Sequence, residues 1–204
     1  MDTDRLIEIA RAAMAGRKDH PARERGYTFH HGLRTARIAL RLAGLIDEAV
    51  GTPQDVLFAG ALFHDVGKAV EPHNETGAAR VGELLAGELA AEQLALVQRI
   101  VREHNRRAHA DECCTAGRVV QDADVLDHFG TQSVWLCFHW QCTHEGSCDD
   151  ALAFYDGPAN RDYLEGSRRA LNFEAARRIY DERVAFERAF FDRFAAEAAG
   201  QVRP

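Results

Sequence analysis

The sequence predicts an all-α protein, and three observations carry that reading. Apolar residues recur at helical spacing along nearly the whole chain. No run alternates apolar and polar residues as a half-buried strand does. There is no internal repeat and no low-complexity segment. A chain of 204 residues buries about 70% of its unfolded surface and is read as one domain, 1–204.

The elements follow in order. Residues 4–15 form a short amphipathic helix, and the charged stretch from Gly16 to Gly26 is rich in turn formers. From His31 to Ala49, Leu33, Ala36, Ile38, Leu40, Leu42 and Leu45 suit a largely buried helix. Thr52-Pro53 starts the next one, with Thr52 as N-cap and Pro53 at the first helical position. That helix runs through Val56, Leu57, Ala59, Leu62 and Phe63 to the pair His64-Asp65 and stops at Gly67. Residues 75–89, 91–104 and 116–129 read as three further helices. Segment 138–170 holds Gly146, Gly157, Pro158, Asn160 and Gly166 and reads as irregular, a cover over a cleft that sets specificity. Asn172 to Ala199 closes the chain as one packing helix ending at Gly200, with Phe173, Ile179, Tyr180, Val184, Phe186, Phe190, Phe191 and Phe194 on a wide apolar face.

Composition narrows the partners. The net charge of −7 argues against binding a nucleic-acid polymer, yet a small phosphorylated ligand needs only a local positive site. No apolar stretch is long enough to span a membrane, and the first residues, MDTDRLIEIA, are acidic, so a cytoplasmic protein is expected. Five cysteines, with Cys113 and Cys114 adjacent, do not make a disulfide framework. His139, Cys142, His144 and Cys148 carry zinc-type donors, but their spacing matches no paired pattern, and ordinary thiols are the reading. Oligomeric state is left open by the sequence.

Chemistry concentrates at His64-Asp65 in AGALFHDVGK. An imidazole and a carboxylate at the end of an apolar helix are costly to bury unless something neutralises them, and a divalent cation does so. His31 upstream and Asp124 downstream sit in similar apolar helical settings. Mixed imidazole and carboxylate donors suit Mn, Fe, Co, Ni or Zn better than Mg or Ca. Arg34 follows His31 by one helical turn and shares its face. His73 and His104 are placed to complete a second metal site. His30, His109 and His128 are read as surface or packing residues.

The order of these motifs resembles the HD-domain superfamily of metal-dependent phosphohydrolases, in its small stand-alone bacterial branch. HHGLRTARIA is similar to that family's first-ligand helix, LFHDVGK to its central motif and VVQDADVLDHFG to its last-ligand helix. The likeness covers about 25–130 well and 172–200 more loosely. It implies a compact helical fold with His31, His64, Asp65 and Asp124 as ligands of a first metal, and His73 and His104 as ligands of a second. Asp124 is chosen within DAD because it precedes Val125-Leu126. Asp122 then caps a helix or stands behind the ligands, and Asp127 lies behind them or at the surface. Several nucleotide-cleaving relatives carry a basic residue where this chain has Val125, so the phosphate contact falls to Lys68, Arg34, Arg106 or Arg107.

The expected activity is hydrolysis of a phosphoester, in a nucleotide or another small phosphorylated metabolite, by a metal-activated water. Asp65 would accept the water's proton, while Lys68, Arg34 or His104 would stabilise charge or protonate the leaving oxygen. Two alternatives remain open at this point: a di-iron oxygenase using His31, His64, Asp65, His73, His104 and Asp124, and a regulatory nucleotide-binding module without turnover.

Overall fold

The computed structural model describes residues 2–202. Among these there are ten α-helices, one 3₁₀ helix and no strand. The helices are α1 (Thr3–Met14), α2 (Tyr27–Ala43), α3 (Gln54–Leu62), α4 (His73–Leu84), α5 (Ala91–Glu103), α6 (Thr115–Asp127), α7 (Thr131–Thr143), α8 (Cys148–Asp156), α9 (Pro158–Arg169) and α10 (Glu174–Ala198). The 3₁₀ helix, Arg107–Glu112, joins α5 to α6.

The central element is α3, which is apolar on every side and buried from Val56 to Leu62. It packs against α2 and α5, while α2 also lies on α6 and α4 on α5. Phe29, Leu42, Leu57, Leu62, Ile100 and Leu126 fill the space between them. The α2–α3 crossing is close because Gly32 offers no side chain: a Cβ there would stand 2.3 Å from the Leu62 carbonyl oxygen. Gly67 has the same function after α3, where a Cβ would lie 2.3 Å from the His73 oxygen. These two contacts bring α2 and the start of α4 against the segment that carries His64 and Asp65.

Several boundaries differ from the sequence reading. The α2 helix begins at Tyr27 and ends at Ala43, so Leu45 lies beyond it and stays exposed. Pro53 is itself the N-cap of α3, since its carbonyl accepts the first helical bond from the Leu57 N–H. The helix stops at Leu62, ahead of the His-Asp pair, and continues as successive tight turns through Val66, Lys68 and Val70.

The larger correction concerns segment 138–170, which is helical rather than irregular. Its glycine and proline residues mark junctions between helices. Gly146 follows α7 with its N–H on the Gln141 oxygen, Ser147 and Asp150 form a capping box at the start of α8, and Pro158 opens α9. Periodicity is weak in α7 and α8, which bury few side chains, α7 none fully, while α9 is amphipathic but strongly polar overall.

Helix α10 holds this outer layer against the core. The fully buried Asp122 carboxylate accepts the Asn172 N–H at 2.8 Å and the Phe173 N–H at 3.0 Å, which pins the start of α10 to α6. Farther along, the buried Glu187 carboxylate accepts the N–H of Gly130 at the start of α7. Phe190, Phe191 and Phe194 pack around Phe138, whereas Phe186 of the predicted apolar face stays 48% exposed.

Gly32→Ala is expected to destabilise the protein by about 1–3 kcal/mol, because a backbone carbonyl cannot move aside as a flexible side chain does. Urea unfolding of the two forms measures this, and an unchanged midpoint would refute the close crossing.

Candidate metal centre

Five separate segments converge beneath one opening. Helix α2 supplies His31, the turns after α3 supply His64, Asp65 and Lys68, the start of α4 supplies His73, the end of α5 supplies His104, and the last turn of α6 supplies Asp124, Asp127 and His128. Three overlapping groups bring donor atoms within 4.8 Å of one another: His31, His64 and Asp65; His31, Asp124 and His128; Asp65, His73 and His104. The structure thus gathers His31, His64, Asp65, Asp124, His73 and His104 in one place.

Hydrogen bonds fix how the imidazoles face. Nδ1 of His64 lies 2.7 Å from the Ala61 carbonyl oxygen, and Nδ1 of His104 lies 2.6 Å from that of Val101. A carbonyl oxygen only accepts, so both Nδ1 atoms carry the proton and both Nε2 atoms turn a lone pair toward the cluster. Nδ1 of His31 donates to the Asp127 carboxylate at 2.7 Å. Such partners behind an imidazole are what orient a metal-binding histidine.

The consequence appears between His31 and His64, whose Nε2 atoms stand 3.2 Å apart in a buried position. Two lone pairs at that separation repel unless a proton or a cation lies between them. Asp124 Oδ1 is 3.0 Å from His31 Nε2 and 3.7 Å from His64 Nε2, and Asp65 Oδ2 is 3.8 Å from His64 Nε2. Two neutral imidazoles and two carboxylates form a donor set that fits a divalent transition metal.

Without a metal, a proton takes that position. Burial pulls His31 downward, but its bonds to Asp124 and Asp127 prevail and raise it to about 9. Burial, helped by the neighbouring His31 and His104, outweighs the pull of Asp65 and Asp124 on His64 and lowers it to about 4. Burial raises Asp65 and Asp124, yet the surrounding imidazoles hold both carboxyls well below the usual range.

Arg34 does not reach the opening. Its Nε and Nη2 donate to Asp127 at 2.8 and 2.9 Å, so it stands behind His31 as the partner of that residue's own partner. Asp127 is therefore buried behind the cluster and is not a surface residue. Arg106 pairs with Glu112 outside the cleft. Two cations do face the opening: Lys68 Nζ lies 3.2 Å from Asp65 Oδ2, and Arg107 Nη2 donates to Asp124 Oδ2 at 2.5 Å. The buried Nε of Arg107 has no acceptor. A cavity of about 290 Å³ joins these groups, lined by Asp65, Lys68, His104, Arg107, Asp124 and His128 among others.

Three features were not read from the sequence. His128 belongs to the cluster, with its ring 4.9 Å from that of His31. Its position one turn after Asp124 was the available signal. Its Nδ1 donates to the Asp124 carbonyl, and the Tyr27 hydroxyl, 3.3 Å away, donates to its Nε2. His20 and Arg23, from the turn-rich stretch, line the same cavity. Arg17 ties that stretch down by donating to the carbonyl oxygens of Val66 and Lys68. The set His139, Cys142, His144 and Cys148 forms no metal-type group among the described residues.

A sequence model of the HD-domain family matches residues 28–128. Among curated protein sequences none matches this chain. Solved structures are similar in fold at low identity. An HD-superfamily hydrolase of Bacillus thuringiensis is 20% identical, with a TM-score of 0.69 over 97% of each chain. The YpgQ protein of Bacillus subtilis, solved in complex with ADP, is 19% identical, with a TM-score of 0.66 over 94% of this chain and 97% of that one. A protein of Lactobacillus plantarum is 21% identical, with a TM-score of 0.62 over 98% and 99%.

Binding a divalent metal at pH 7 is expected to release about one proton, displaced from His31. The release should disappear as pH rises through about 9, where the metal-free His31 is already neutral. Calorimetry in buffers of different ionisation enthalpy measures it, and metal uptake without proton release would remove His31 from the ligand set. Asp127→Asn, which weakens the support behind His31, should lower metal affinity about tenfold in the same titration.

Proposed function

Because the chain belongs to the HD-domain superfamily, we propose that it is a metal-dependent phosphohydrolase acting on a small phosphoester or phosphoanhydride. The observation that supports this best is the pairing of each cluster carboxylate with a cation on its solvent side, Lys68 on Asp65 and Arg107 on Asp124. A site built only to hold a metal has no use for positive charge there. A phosphoryl group does, and the unpartnered Arg107 Nε offers it a further donor. The ADP bound in the similar Bacillus subtilis protein supports a phosphorylated ligand. No helix among the described residues is long and apolar enough to cross a membrane.

His31, His64, Asp65 and Asp124 would hold the metal. When bound, a divalent cation supplies an acidified water and neutralises charge on a phosphoryl oxygen. The chain's own groups do the rest. Lys68 Nζ and the Arg107 guanidinium hold the non-bridging phosphoryl oxygens and stabilise their growing charge. Asp65 Oδ1 receives the proton of the attacking water, and His104 Nε2 stands 3.5 Å away to share it. His73 Nε2, 3.6 Å from the same oxygen, is the second group placed to return a proton to the leaving oxygen. Arg34 keeps His31 oriented through Asp127 and does not touch substrate.

The gathering of His73 and His104 on Asp65 favours one further reading, a two-metal site. Two irons in that site would suit oxygen activation as well as hydrolysis. Elemental analysis of the purified chain separates the readings by metal count, and oxygen uptake separates the reactions.

The central test is phosphate release from a panel of nucleotides and sugar phosphates by the Mn²⁺-loaded chain. His64→Ala should lose metal and turnover together. Lys68→Ala should keep the metal and lose about 100-fold in kcat. A folded, metal-loaded chain that releases phosphate from no member of the panel would end the phosphohydrolase reading.

A further inference from the structure

A second cavity, also of about 290 Å³, opens beside the metal centre. Arg23 and His128 line both cavities, so the two adjoin at these side chains. The chemistry of the second one is different. Trp140, Phe154, Tyr155, Tyr163 and Phe191 form its walls, with contributions from α7, α8, α9 and α10.

These rings are exposed beyond what packing requires: Trp140 by 45%, Phe154 by 52% and Tyr163 by 52%. Single exposed aromatics are ordinary, but these surround one hollow. Three of the walls are also backed by a second ring. Tyr155 stacks on Phe191 at 4.0 Å and 16°, Trp140 on His144 at 3.9 Å and 17°, and Tyr163 on Phe129 at 5.5 Å and 25°. Backed rings are held in place before any ligand arrives, which lowers the ordering cost of stacking something between them. The lining of the hollow also includes two amides, those of Gln141 and Asn160. Asn160 donates through Nδ2 to the Tyr155 carbonyl oxygen, which leaves its Oδ1 as an acceptor.

We propose that this hollow is a nucleobase site, and hence that the phosphorylated ligand of the metal centre is a nucleoside phosphate. Rigid aromatic faces with amide groups among them match a flat heterocycle, whose faces stack and whose edge carries hydrogen-bonding atoms. A lipid chain would use the walls but not the amides, and a sugar phosphate would use neither face. The ligand's phosphate lies toward Lys68 and Arg107, its base lies among Trp140, Phe154 and Tyr163, and Arg23 stands where the two parts join. The reaction served rests on the phosphohydrolase reading above. The binding of a base does not, since none of the rings is in the metal cluster.

The test uses Trp140 as its own reporter. The chain holds two tryptophans, and Trp135, exposed and outside the hollow, can be changed to Phe. In Trp135→Phe, uncharged nucleosides are expected to change the Trp140 fluorescence saturably, while ribose and inorganic tripolyphosphate are not. Calorimetry of the same titrations covers a silent fluorophore. Phe154→Ala, at a position half exposed and therefore safe for folding, should weaken nucleoside binding about tenfold and leave ribose 5-phosphate binding unchanged.

Absence of nucleoside binding by both methods would overturn the proposal. So would a Phe154→Ala effect of equal size on ribose 5-phosphate. If phosphoesters are still hydrolysed in either case, the phosphohydrolase reading survives without the base site. If nucleosides bind and no phosphoester is turned over, the base site stands and the phosphohydrolase reading falls.

Discussion

Two imidazole nitrogens 3.2 Å apart in a buried position are the constraint on which the rest of this structure depends. Below about pH 9 a proton on His31 relieves their repulsion, and a bound metal would do so in its place. The fold is arranged to keep them there. Carbonyl oxygens from the preceding helical turns hold His64 and His104 by Nδ1, and a carboxylate from α6 holds His31. The glycines at 32 and 67 let three backbone segments approach closely enough for those side chains to meet. A proton on His31 is thus a place-holder, and the metal-free cluster is already shaped for a cation.

The same constraint sorts the cations. Arg34 neutralises Asp127 on the inner side, which keeps that carboxylate charged and able to orient His31. Lys68 and Arg107 sit on the outer side, against the cluster's own carboxylates. A divalent ion held by those carboxylates would leave the outer cations less negative charge to answer, which suits the phosphoryl contact proposed for them. A point charge can be supplied from any segment that reaches the spot. Position 125 is Val, and Arg107 from the 3₁₀ segment after α5 stands against Asp124 in the place a basic residue there would serve.

Much of the core was legible because burial writes a clear pattern. The run Val56 to Leu62 is apolar throughout, and the helices flanking it repeat at helical spacing, so their existence and order could be read directly. His31, His64, Asp65 and Asp124 stood out as polar residues in apolar settings. What escaped was information carried by contacts between segments distant in the chain. Nothing local to Arg34 says that Asp127 will claim it, and nothing local to His128 says that its ring will lie against His31. The helices α7 to α9 escaped for a different reason. They lie on the surface of the core and bury few residues; α7 and α8 carry weak periodicity, α9 is strongly polar, and the residues at their junctions, Gly146, Ser147 and Pro158, look like loop residues when read alone.

The outer layer is fastened to the core by more than one kind of contact. Its attachment does not rely on apolar burial alone. Two buried carboxylates, Asp122 and Glu187, accept backbone N–H groups at the starts of α10 and α7, which fixes those helices by geometry rather than by matching side-chain shape. Burial raises both, Asp122 to about 6 and Glu187 to about 7, so the N–H donors offset only part of the cost of burying these groups. The solvent-facing aromatics of α7 to α9 can then vary without disturbing either anchor. None of them contributes a donor to the metal-type groups, and only His128 and Arg23 bridge the two cavities. The metal-type groups therefore lie in the tightly constrained core, and the base site proposed above lies in the outer layer.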